Sequence, residues 1–207
     1  MAYVVLVRHG QSEYNAKGWW TGWDNPSLTD LGKEEAKQAG ERLKDIKFNE
    51  AYVSALTRAQ QTLTIILQTI GQPTIPVTIN AALNERNYGD FTKKNKWDIQ
   101  KELGDETFQK IRRSWDYPLP NGETLKDVYE REVPYFEKDI LPKIKNGENI
   151  IIASSGNSLR ALVKYLENVS ESDIPMLEIA TGEVYVYQLD ENGKVVNKEI
   201  RRANTPA

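Results

Sequence analysis

Val4-Val5-Leu6-Val7-Arg8-His9-Gly10 is an apolar run that ends in a charged turn. Tyr3–Val7 is rich in β-branched residues and lacks polar alternation, so it reads as a short strand buried on both faces. Strands of this kind occupy the parallel centre of α/β sheets, where ligands sit beyond the carboxyl ends of the strands. The residues delivered there are Arg8, His9 and Gly10, and His9 is the only histidine in the chain. A neutral ring nitrogen beside an arginine suits capture of a phosphate and nucleophilic attack on it. Phosphoryl transfer otherwise rests on positioning and on compensating oxygen charge with arginines, backbone N–H groups and helix N-termini. Alone, Arg-His-Gly is a weak signal, because most lone histidines are structural or exposed.

Outward from this stretch, strands and helices alternate. Ala51-Tyr52-Val53, Ile75–Ile79 (weakened by Pro76) and Ile150–Ala153 read as further strands. Thr29 N-caps a helix to about Leu43, with Leu31, Ala36, Ala39 and Leu43 as its apolar face. Leu56–Ile70 is a second helix, ended by Gly71 and Pro73. Asn95–Ser114 reads as two short helices broken near Gly104, and Thr124–Lys145 as a long one kinked or broken by Pro134 and Pro142. Ser158–Leu166 is helical, and Val184–Leu189 with Val195–Ile200 forms a hairpin around Glu191-Asn192-Gly193. The pattern predicts one α/β domain over residues 1–207, a three-layer sandwich with a mostly parallel central sheet flanked by helices. Arg8-His9-Gly10 and Ser154-Ser155-Gly156-Asn157 both follow strands, so the two turns are expected to meet at one site.

Composition narrows the chemistry. The 207 residues carry 27 Lys+Arg against 30 Asp+Glu, a formal net charge of -3. That balance argues against a general nucleic-acid binder but leaves room for a local basic pocket. Without cysteine there is no disulfide, thiolate metal site or cysteine nucleophile. One histidine excludes a histidine-rich metal site, although an all-oxygen site stays open; no metal is expected. No apolar run approaches the ~20 residues that span a bilayer, and the N-terminus lacks a signal-peptide pattern. A soluble cytoplasmic protein without membrane or nucleic-acid partners is expected.

The motifs sharpen this. Arg8-His9-Gly10-Gln11-Ser12-x-Tyr14-Asn15, Thr21-Gly22-Trp23 and Leu28-Thr29-x-x-Gly32-x-x-Glu35-Ala36 occur in order. Ser54-x-Leu56-x-Arg58-Ala59-x-x-Thr62, Leu83-Asn84-Glu85-Arg86-x-Tyr88-Gly89, Gly122-Glu123-x-Leu125-Lys126-Asp127 and the run Gly156–Leu166 follow. From about Tyr3 to the hairpin the chain resembles the cofactor-dependent phosphoglycerate mutases of the histidine phosphatase superfamily. The resemblance implies that His9 is phosphorylated by 2,3-bisphosphoglycerate during interconversion of 3- and 2-phosphoglycerate. It implies that Arg8 and Arg58 bind the phosphoryl group in transfer, that Asn15 orients it, and that Glu85 is the general acid/base. Tyr88, Lys96, Arg112 and Arg113 match the second anionic pocket, Thr21 and Gly22 line the same site, and Gly156 and Asn157 follow the second strand. Small phosphorylated three-carbon acids are the implied partners, and the family precedent is a homodimer or homotetramer.

Taken singly, several of these residues have plainer readings. Glu85 and Arg86 could be a surface ion pair, Arg112-Arg113 a solvated helix face, and Lys126 and Asp127 helix surface. Trp19, Trp20 and Trp23 fit a core or interface cluster as well as a lid. The chain also departs from the family pattern. Ser155 stands where a second catalytic histidine is expected, with Ser154 before it. Losing one preorganised donor of that kind costs ~10²–10³ in rate in an oxyanion setting, so Ser155 predicts a slowed enzyme. Asn87 replaces another histidine, Gln11 the usual glutamate, and the segment between Trp115 and Asn121 is short. Two alternatives follow: a phosphatase of the same superfamily, or a non-catalytic phosphometabolite-binding protein.

Overall fold

The computed structural model of the chain describes residues 1–202. The apolar run forms β1 (Ala2–Arg8), and β2 (Glu50–Val53), β3 (Val77–Ile79) and β4 (Ile150–Ser154) lie parallel with it. With β5 (Val184–Leu189) and β6 (Val195–Arg201) they make one six-stranded sheet in the order β3-β2-β4-β1-β5-β6. β5 is antiparallel to both neighbours, so the expected mostly parallel α/β sheet is the observed one. The helices are α1 (Glu13–Ala16), α2 (Asp30–Glu41), α3 (Thr57–Thr69), α4 (Lys96–Leu103), α5 (Asp105–Arg113), α6 (Leu125–Tyr135), α7 (Leu141–Lys145) and α8 (Gly156–Glu167). None among the described residues is long and apolar enough to cross a membrane.

β1 and β4 lack alternation because helices cover both faces. Val5, Val7, Ile151 and Ala153 pack with residues of α2 and α3, whereas Val4, Leu6, Ile150 and Ile152 pack with residues of α7 and α8. The chain thus leaves β1 toward one face and the adjacent β4 toward the other. This is a switch point, the place where an open α/β sheet forms a crevice at its carboxyl edge. Arg8 pairs with Ser154 in register, and His9 N–H donates to the Ser154 carbonyl at 2.9 Å. The two turns therefore start side by side.

Two local expectations are corrected. Leu31 is 55% exposed, because the inward stripe of α2 runs through Gly32, Ala36, Ala39 and Gly40, one position away. Those small residues let α2 approach α3 closely; a Cβ on Gly40 would lie 2.7 Å from that of Thr69. The Thr124–Lys145 segment neither stays one α-helix nor breaks. After α6 it widens into a π turn over Phe136–Ile140, where Leu141 N–H reaches the Phe136 carbonyl. Pro142 then sits in the first turn of α7, where no N–H is required.

Candidate active site

The β1 turn is packed backbone to backbone against the start of α2. A Cβ on Gly10 would stand 2.1 Å from the Gly32 carbonyl oxygen, so this turn tolerates no side chain there. Glu35 accepts the Gln11 N–H at 2.6 Å, and the Thr62 hydroxyl accepts the Gly10 N–H at 3.1 Å. The Gln11 side chain turns away to the Thr29 hydroxyl at the α2 N-cap, so the missing glutamate charge concerns that cap.

His9 is held in one tautomer. Its Nδ1 lies 2.6 Å from its neighbour Gly10's carbonyl, an acceptor only, so Nδ1 carries the hydrogen. Nε2 then has the lone pair, and Arg58 Nε donates to it at 3.1 Å. Burial, followed by the charges of Arg58 and Arg8, holds the imidazole well below its ordinary pKa. The ring is neutral and its free nitrogen faces a guanidinium. Arg58 is itself anchored by the carbonyls of Gly22 and Asp24, both at 3.0 Å, and burial pulls it to about 10. Gly22, at φ +52, contributes that carbonyl rather than a pocket wall.

Arg8, His9, Asn15, Thr21 and Arg58 line an open pocket. Asn15 Oδ1 accepts from the Ser12 N–H and hydroxyl, leaving the amide Nδ2 as the group it offers. Glu85, Tyr88, Lys96, Arg112, Arg113, Gly156 and Asn157 line the same pocket. Glu85 is not a surface residue. Its Oε1 accepts the N–H of Arg86 at 2.7 Å and that of Asn157 at 3.1 Å, at the N-terminus of α8. Arg86 is fully buried and donates to the Ile111 carbonyl, so the pair is not an ion pair. Asn157 Nδ2 donates to the Tyr88 hydroxyl at 2.8 Å. Burial, then Arg112 and Arg8, lowers Lys96 to about 8.

The pocket wall carries six cationic side chains and two carboxylates in a chain of net charge -3. Arg8 lies against Gly156, beside the positive end of α8, and its buried Nε has no partner among the described residues. With six cations against the carboxylates of Glu85, which takes the Asn157 N–H, and Glu178, the excess positive charge beside a helix N-terminus suits an anion. Residues 4–200 match the histidine phosphatase superfamily (branch 1). The chain belongs to this superfamily.

Relatives within it are similar over nearly the whole length. A 2,3-bisphosphoglycerate-dependent phosphoglycerate mutase of Parvibaculum lavamentivorans is 50% identical over 199 residues, 95% of either chain. A phosphoglycerate mutase of Schizosaccharomyces pombe is 48% identical, covering 95% of this chain and 94% of its own. Among solved structures, phosphoglycerate mutase from Bacillus anthracis has a TM-score of 0.77 at 24% identity, over 94% of this chain and 90% of that one. A mycobacterial glucosyl-3-phosphoglycerate phosphatase complexed with VO3 has a TM-score of 0.83 at 20% identity over the whole of both chains. At these identities the likeness is one of fold.

In this member of the superfamily, a second expected site residue besides Gly22 stands outside the pocket lining. Ser155 is fully buried, does not line the pocket, and its hydroxyl has no partner among the described residues. Four lining residues were not among the expected ones: Arg160, Glu178, Trp20 and Ile179, whose carbonyl accepts from Arg8. Arg160, one helical turn after Asn157, donates to Asn157 Oδ1 at 2.8 Å; that i+3 spacing within Gly156–Leu166 was the available signal. Glu178 pairs with Arg113 at 2.6 Å, and Trp20 underlies Lys96, whose Nζ is 5.5 Å from the ring centroid. Trp20 also packs in a small core cluster with Tyr88 and Phe108, while Trp23 is half exposed and its indole N–H donates to the Glu85 carbonyl.

Proposed function

We propose that this protein is a 2,3-bisphosphoglycerate-dependent phosphoglycerate mutase, interconverting 3- and 2-phosphoglycerate through a phosphohistidine at His9. The carrying observation is a neutral His9 whose Nε2 lone pair faces Arg58 within a cationic pocket that Glu85 also lines. The residues present fit a doubly phosphorylated acid. Arg8 and Arg58 would take one phosphoryl group, while Lys96, Arg112 and Arg113 would hold the carboxylate and the second phosphate. When bound, 2,3-bisphosphoglycerate supplies the phosphoryl group that His9 carries.

The chain's own residues do the rest. Nε2 attacks with its lone pair while the Gly10 carbonyl fixes the hydrogen on Nδ1, so the ring needs no rearrangement. Arg8, Arg58, the Asn15 amide and the N-terminus of α8 compensate the equatorial oxygens in flight. Glu85 has Oε1 tied to two N–H groups, which leaves Oε2 to take a proton from the substrate hydroxyl and return it. Tyr88 and Asn157, hydrogen-bonded to one another, line the pocket beside Glu85. Ser155 offers no donor to the transferring group, so turnover is lowered by ~10²–10³ relative to an enzyme with an imidazole there. Assembly into homodimers or homotetramers and a cytoplasmic location belong to the same reading.

Mutase turnover with 2,3-bisphosphoglycerate, in the parent, His9→Ala and Ser155→His, tests it. The parent should turn over slowly, His9→Ala not at all, and Ser155→His faster by ~10²–10³. An inactive parent restored by Ser155→His would refute a working mutase. Phosphate release from small phosphomonoesters without mutase turnover would make the protein a phosphatase instead.

A further inference from the structure

Behind the site lies a buried acid that the mechanism above does not use. Glu132 on α6 is fully buried, as are Ser154 and Ser158. Ser158 Oγ is 2.7 Å from Glu132 Oε1 and 2.7 Å from Ser154 Oγ, and the Ser154 hydroxyl also reaches the Leu83 carbonyl. Hydrogen counting decides the charge of this chain of contacts. A serine hydroxyl has one hydrogen, and a carbonyl has none. The Leu83 carbonyl takes the hydrogen of Ser154, so Ser154 Oγ must accept from Ser158. That leaves the third contact, Oε1 to Ser158 Oγ, without a hydrogen unless the carboxyl group supplies it.

The surroundings agree. Glu132 Oε2 has no partner among the described residues, which a carboxylic acid tolerates far better than a buried carboxylate. Burial is the main influence raising the pKa of Glu132, and the charges of Glu85 and Glu123 act in the same direction. Two influences act oppositely: the Ser158 contact, which favours the carboxylate only where the hydroxyl donates, and Arg131, whose guanidinium is engaged by Glu123 and by the carbonyls of Ala82, Asn84 and Glu85.

We infer that Glu132 is a positioning residue, carried as the neutral acid, that ties the Leu83–Glu85 segment to the β4–α8 turn through Ser158 and Ser154. Leu83 lies two residues before Glu85, and Ser154 three before Asn157, so the chain of hydroxyls joins the segments that carry these two lining residues from behind. The Ser154 hydroxyl is therefore engaged inside the fold and does not substitute for an imidazole at position 155. The protonation state is independent of the mutase reading; the consequence for Glu85 rests on it.

Infrared spectroscopy of the full chain at neutral pH tests the first part. A protonated carboxyl band should be present and should vanish in Glu132→Gln; an unchanged spectrum would overturn the inference. Inorganic phosphate binding by calorimetry tests the second part without needing turnover. Glu132→Leu fills the space without hydrogen bonds, and Ser154→Ala cuts the chain at its other end. Either should weaken phosphate about tenfold by displacing the Gly156-Asn157 turn. Glu132→Gln, whose amide can donate to Ser158, should stay within about twofold. Parental affinity in a folded Glu132→Leu, or in Ser154→Ala where Glu132→Leu does not fold, would refute the positioning role. A parent that binds phosphate and shows the band yet lacks mutase turnover would refute the mutase reading alone.

Discussion

The state of His9 has a consequence for stability that can be worked out and measured. Burial, Arg58 and Arg8 keep the native imidazole neutral well below its ordinary pKa of 6.5. In the unfolded chain the same ring binds a proton below about pH 6.5. The unfolded state thus binds more protons than the native one in that range, so stability falls as pH decreases from 6.5 toward the native pKa and is unaffected by this group above it. Between about pH 7.5 and 5.5 the loss integrates to about 1 kcal/mol. His9→Gln removes this contribution, and every carboxylate shared by the two proteins, including Glu132 with its opposite slope, cancels in the difference. Urea unfolding of parent and variant at both pH values reads it. With a slope of ~2 kcal/mol/M, the midpoint of the variant should move upward relative to the parent by ~0.5 M at the lower pH. A gap between the two midpoints that does not change with pH would mean that the native imidazole titrates like the unfolded one, and a gap that shifts the opposite way would mean a protonated native imidazole. Nε2 would then have no lone pair, and the nucleophile assignment would fall.

Three further outcomes are expected. Gly10→Ala forces a Cβ into the Gly32 carbonyl oxygen and should cost about 3 kcal/mol in urea unfolding, with phosphohistidine yield falling alongside. Lys96 loses its charge as pH rises through about 8, so phosphate affinity should weaken between pH 7 and 9 in the parent and lose that component in Lys96→Met, as titration calorimetry at several pH values would record. Arg131→Met removes the fork that holds the carbonyls of Ala82, Asn84 and Glu85, and should destabilise the chain by about 3 kcal/mol; an unchanged urea midpoint would show that the Glu85 segment is held by its other contacts.

The fold was legible where burial and period agree. Val4–Val7 and Ile150–Ala153 have no polar face, so they can only be central strands. Pro and Gly marked the ends of α3 and the break between α4 and α5. Leu31 misled because an apolar residue near the right period is a candidate for the buried face, whereas the actual stripe consists of glycines and alanines that allow close helix approach. The Pro134–Pro142 segment misled because a π turn, rare within helices, is not signalled by proline positions.

The site divides the same way. Sequence alone singled out the candidate nucleophile, since the only histidine stands at the end of a buried strand, and its spaced motifs named the candidate arginines and Glu85. It also determined that position 155 has no imidazole. Only the tertiary structure decided which ring nitrogen is free, because that depends on a carbonyl one residue away and a guanidinium 49 positions along the chain. It alone brought Arg160, Glu178 and Trp20 to the pocket and buried Ser155 outside its wall. It also made Glu132, one acidic residue of thirty in the sequence, a neutral acid. The physical reason is common to these cases: residue identity sets which groups can titrate or donate, while protonation state and direction follow from partners and desolvation, which exist only once distant segments pack together.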